Sequence, residues 1–172
     1  SISVNVTIPV SAALPVVIFG HGLVTERRAG SGHLFSLNDE HLLVSAVQDI
    51  AGARQHLVRR LRAEIGAWRR GGVAPHAALL FGSVSRGDAR PDSDIDLLIV
   101  RPRDVAGDAD EWRGQLGALT ADVHTWTGND VRILELAERD LGSNLEVVRL
   151  AARDGVELMD GSRDILSGAG HR

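Results

Sequence analysis

The chain contains no cysteine, no lysine and no tyrosine. Without cysteine it has neither disulfides nor thiolate metal sites, which agrees with a reducing cytoplasm, the expected location. Without lysine it cannot form a phosphate loop of the Walker type, whose lysine reaches the phosphates. All 19 basic residues are therefore arginine. Aromatics make up only 3%, so Leu, Val, Ile and Ala must build the core. No apolar run approaches the ~20 residues of a membrane span. The N-terminus lacks a basic segment followed by a long apolar stretch, so neither an export signal nor a membrane partner is expected.

What remains is a globular balance, 44% hydrophobic and 24% charged over 172 residues. That length is enough for one domain plus an appendage, or for two small domains. The net charge of −4 is unevenly spread. Residues 1–70 hold 8 Arg against 5 acids, whereas residues 71–172 hold 11 Arg against 18. The seven histidines share no ligand spacing and read as surface or core positions.

Periodicity divides the chain further. Residues 1–20 are apolar and β-branched, with Pro9 and Pro15. Gly22–Thr25 and His33–Leu37 read as strands of a hairpin around a polar tip, Glu26–Gly32. Asn38 is placed to cap a helix. Leu43, Val47, Ile50, Arg54, Leu57, Leu61, Ile65 and Trp68 recur at helical steps with one polar gap. This predicts a long helix ending at Gly71-Gly72, with Gly52 as a point of bending. Strands follow at 77–81, 94–100 and 131–136, helices at 109–126 and 144–153, a short strand at 156–159, and a frayed tail from Gly161.

The most informative stretch is Gly82-Ser83-Val84-Ser85-Arg86-Gly87, followed by Ser93-Asp94-Ile95-Asp96. In a strand, residues i and i+2 face the same side, so Asp94 and Asp96 project together beside a glycine-containing loop. Magnesium commonly binds through one or two carboxylates plus substrate phosphates. Gly82 permits close backbone approach. Ser83 offers a hydroxyl and an N–H at the start of a short helix, and Arg86 can approach a triphosphate or brace the loop.

The run GSVSRGDARPDSDIDLLIV resembles the signature of the polymerase-β-type nucleotidyltransferase superfamily, in its minimal bacterial form. That resemblance implies an α/β (α+β) fold, a small mixed sheet with flanking helices. It implies nucleotide binding by Gly82, Ser83, Arg86 and Ser93, metal binding by Asp94 and Asp96, and Mg2+, as two ions, with a nucleoside triphosphate as substrate. Such domains usually carry a third carboxylate on a later strand. Glu135, between Leu134 and Leu136, is the candidate third catalytic residue, and Asp130 is its rival. Arg132 lies near where many relatives carry the acid. The implied reaction moves a nucleoside monophosphate to an acceptor hydroxyl on a small molecule, a protein or an RNA. The alternative is a non-catalytic nucleotide-sensing or DNA-associated regulator or antitoxin on the same scaffold.

The hairpin with its Arg-Arg-Ala-Gly-Ser-Gly tip resembles the wing of a winged helix-turn-helix domain, which implies DNA phosphate contacts by Arg27 and Arg28. A packing or dimerising hairpin, and with it a homodimer, is the other reading. The expected organisation is a partial winged-helix-like segment at 1–38, a connecting helix at 39–72, the nucleotidyltransferase domain at 73–160 and a tail at 161–172.

Overall fold

A computed structural model describes residues 22–30, 32–90 and 93–168. The expectations for residues 1–20 lie outside these. The described residues divide into two compact units, one up to Ala53 and one from Arg54 onward.

In the first unit, β1 (Val24–Ala29) and β2 (Gly32–Leu37) pair antiparallel, from Val24 opposite Leu37 to Ala29 opposite Gly32. The hairpin is tighter than the sequence predicts. Arg27 and Arg28 are not tip residues; they lie within β1, opposite Leu34 and His33. As neighbours on a strand they face opposite sides of the hairpin, and both are exposed. Asn38 closes the base of the hairpin instead of capping a helix. Its amide nitrogen donates to Leu23 O at 2.8 Å and its side chain to Gly22 O at 3.0 Å. Helix α1 (Val44–Ala51) begins later, with Leu43 at its N-cap position, and stops at Gly52. The single long helix is thus two elements.

In the second unit, α2 (Ala53–Gly71) presents Leu57, Leu61, Ile65 and Trp68 as a buried stripe. The sheet runs β5–β4–β3–β6. Its strands are β3 (Ala77–Phe81), β4 (Ile95–Arg101), β5 (Val131–Ala137) and β6 (Val156–Glu157). Strand β4 pairs antiparallel with β3 and parallel with β5, while β6 is antiparallel to β3. Between β3 and β4 stands the short helix α3 (Gly82–Arg86).

Strand alternation sorts the core into two layers. Ala78, Leu80, Ile95, Leu97 and Ile99 face α2 and α4 (Asp110–Thr127), which contributes Trp112, Leu116, Leu119 and Val123. The rings of Trp68 and Trp112 meet edge to face at 6.0 Å. Ala77, Leu79, Leu98 and Val100 face the other way, onto α5 (Leu145–Asp154), α6 (Ser162–Gly168) and a 3-10 turn over Glu138–Asn144. Burying each large aliphatic side chain here contributes roughly 1.5–3 kcal/mol. The segment expected to fray is α6: Leu166 is buried, and Ser162 Oγ accepts the Ala78 amide at 3.0 Å.

Candidate functional site

Strand β3 ends where Gly82 takes a φ of +75°, a conformation that favours glycine. A β-carbon there would also overlap the carboxylate of Asp96, whose Cγ stands 3.1 Å from that position. The turn therefore brings backbone against the second carboxylate with no side chain between. Helix α3 follows at once and is held at both ends. Ser85 Oγ donates to Gly82 O at 2.8 Å. Gly87, at φ +80°, and Asp88 send their amides to Ser83 O at 3.0 and 3.1 Å. The Arg54 guanidinium donates through Nε to Val84 O at 2.8 Å and through Nη2 to Ser85 O. These bonds add donors to carbonyls at a helix end, where intrahelical partners run short.

Asp94 lies one residue ahead of β4 and Asp96 two residues in. Asp96 pairs with Phe81 on β3 and with Arg132 on β5. It shares its face with Leu98 and Val100, which belong to the layer covered by α5 and α6. Arg132 Nη2 meets Asp94 Oδ2 at 2.6 Å. Burial raises the Asp96 carboxyl above its ordinary pKa; Arg132 opposes the rise, Asp94 adds to it, and Arg86 opposes it. The pair is a partly desolvated concentration of negative charge, an environment that favours a cation.

Arg86 and Ser93 frame this region differently. Arg86 pairs with Asp88 at 3.2 Å and is largely exposed. Ser93 Oγ accepts the Arg90 amide at 2.8 Å, and Ser93 O accepts Asn129 Nδ2 at 3.0 Å. Ser93 thus fastens the approach to β4 onto the turn before β5.

The structure does not bring Glu135 to the carboxylate pair. It stands opposite Ile99, three register steps beyond the Asp96–Arg132 pair and on the opposite face of the sheet. There it accepts Arg101 Nε at 2.8 Å, Trp112 Nε1 at 3.0 Å and Arg113 Nη1 at 3.3 Å. It ties β4, β5 and α4 together on the far side from Asp94 and Asp96. Asp130 has the face parity of Arg132 and its carbonyl accepts the Ile95 amide at 2.8 Å, but its side chain is exposed. Among the described residues no three His, Asp or Glu side chains converge to hold a metal ion.

Arg54 is the site residue that sequence reasoning passed over. Its signal was the polar interruption of an apolar stripe between Ile50 and Leu57. A long cation at a core-facing helical position needs an acceptor, and here the acceptors are carbonyls of the Gly-Ser loop helix.

Residues 67–143 match the family model for the nucleotidyltransferase domain. This stretch contains the Gly-Ser loop, the carboxylate pair and strand β5. A chain in a crystal structure of a toxin-antitoxin with AMP-PNP is similar at 18% identity and a TM-score of 0.44. The match covers 62% of this chain and 81% of that one. No helix among the described residues is long and apolar enough to cross a membrane.

Proposed function

We propose that residues 54–168 form a nucleotidyltransferase that moves a nucleoside monophosphate from a nucleoside triphosphate to an acceptor hydroxyl, with Mg2+. The observation that carries this reading is the contact of Gly82 with Asp96. It brings bare backbone of the Gly-Ser loop against Asp96, which shares its strand face with Asp94. The donor set fits magnesium, which prefers oxygen ligands and completes its shell with water and phosphate oxygens. Asp94 and Asp96 would hold the ion, which when bound neutralises charge on the triphosphate.

The chain's own residues would do the rest. Gly82 and Ser83 receive the phosphates at the loop, and Arg54 keeps α3 fixed so that these groups do not reorganise during reaction. Arg86 supplies positive charge beside the pair. The acceptor oxygen bonds to the α-phosphorus, the α–β bridging P–O bond breaks, and pyrophosphate departs while the hydroxyl proton passes to solvent. The acceptor is a hydroxyl of a small molecule, a protein or an RNA.

A second reading, a nucleotide-binding regulator without transfer, draws on the separation of Glu135 from the pair. One experiment separates the two. The protein is incubated with α-labelled nucleoside triphosphates, Mg2+ and cell extract, beside Asp94→Ala/Asp96→Ala. Label transfer lost in the variant supports the transferase. Nucleotide binding without transfer, across all four bases, supports the regulator and overturns the transferase.

A further inference from the structure

We propose that the Arg132 guanidinium takes the place of a second divalent cation, so that the Asp94/Asp96 pair binds a single metal ion with the nucleotide. The inference rests on the metal–triphosphate reading above and narrows it. Three observations converge. First, the parallel register sets Arg132 directly opposite Asp96, on the same face of the sheet. Second, its Nη2 lies 2.6 Å from Asp94 Oδ2, an oxygen that a second ion would need. Third, among the described residues no third acid joins the pair as a ligand set; Asp130 shares the face of Arg132 but completes no such group. Glu135 is engaged by Arg101, Trp112 and Arg113 on the other face, and no group of three ligating side chains occurs among the described residues.

The chemistry follows from charge and shape. Two carboxylates can share one divalent ion and one guanidinium. A second divalent ion would sit beside a fixed positive charge, with no third anionic donor grouped with the pair among the described residues. Guanidinium does not deprotonate, so this charge is permanent, and its planar fork matches carboxylate and phosphate oxygens. The Arg132 side chain is 74% exposed, which leaves it free to follow phosphate oxygens while its charge stays at the pair.

The test counts bound ions. Wild-type protein and Arg132→Asp are dialysed to equilibrium with Mn2+ and α,β-methylene-ATP, and protein-bound Mn2+ is measured per bound analogue. One ion per analogue is expected in the wild type. Two are expected in Arg132→Asp, where a third carboxylate faces Asp96. In Arg132→Ala without nucleotide, Mn2+ affinity should rise about 2–5-fold, the scale of losing one partly exposed ion pair. Two ions in the wild type, one ion in both proteins, or unchanged Mn2+ affinity in Arg132→Ala would overturn the inference. If the wild type binds neither analogue nor Mn2+, the underlying site reading falls as well, and that outcome is distinct from the others.

Discussion

Gly82 lies against Asp96 at the one position where Gly82 has no atom to offer: a β-carbon there would overlap the carboxylate. Two independent constraints thus act on one residue, the left-handed backbone and the close approach. Gly82→Ala should destabilise the protein by roughly 1–3 kcal/mol, the usual scale for a strained backbone position. It should also lower nucleotide affinity, because relief of the overlap must displace Asp96. Urea unfolding together with nucleotide titration checks both effects.

Arg54 reaches two carbonyls of α3, those of Val84 and Ser85. Arg54→Ala leaves both without this partner, at about 1–3 kcal/mol. Amide hydrogen exchange should accelerate through Ser83–Gly87 well before β3 or β4 responds. Arg54→Lys should recover only part of the protection, since an ammonium lacks the planar fork that spans both acceptors.

Glu135 predicts the opposite pattern. Its partners hold β4, β5 and α4 together on the face away from the carboxylate pair. Glu135→Ala should lower stability by about 1–3 kcal/mol, less than the fully buried case because the side chain is 20% exposed. Nucleotide affinity measured well below the melting temperature should be unchanged. A loss of nucleotide binding in folded Glu135→Ala would place Glu135 back in the site.

The contrast between Glu135 and Asp94/Asp96 shows what the sequence could reveal. The pair was legible because an i, i+2 relation within one strand needs no knowledge of any partner strand. Gly82 and Ser83 were legible because a turn between two apolar runs is local chemistry. The role of Glu135 depends on the register of β5 against β4, where a change of one residue inverts the face. Local spacing cannot supply that register. The same limit applied to Arg27 and Arg28, whose position turned on where the hairpin pairing ended. It applied to α6 too, whose burial depends on Ala78, far away in sequence. Gly52 did carry its signal, and the helix breaks there.

Asp96 provides a pH test with a definite sign. Its carboxyl is raised above the ordinary value, first by burial. Its ionised form is thus disfavoured in the folded state relative to the unfolded chain, where an aspartate titrates near about 3.9. Below that pH both states are protonated and Asp96 contributes no pH dependence. As pH rises from there through the raised folded value, its contribution lowers stability. Asp96→Asn should abolish this component of the stability–pH profile. Carboxyl carbon NMR should show Asp96 titrating above a typical aspartate, lower in Asp94→Asn and higher in Arg132→Ala.

The central claim is that Asp94 and Asp96 hold a metal–triphosphate against the Gly82–Ser83 loop. Calorimetric titration with α,β-methylene-ATP, in Mg2+ and in EDTA, tests it most directly on the wild type and on Asp94→Asn/Asp96→Asn. The account predicts Mg2+-dependent binding that weakens at least about tenfold, or about 1.4 kcal/mol, in the variant. Binding that is equally tight in EDTA, or undiminished in the folded variant, would contradict it.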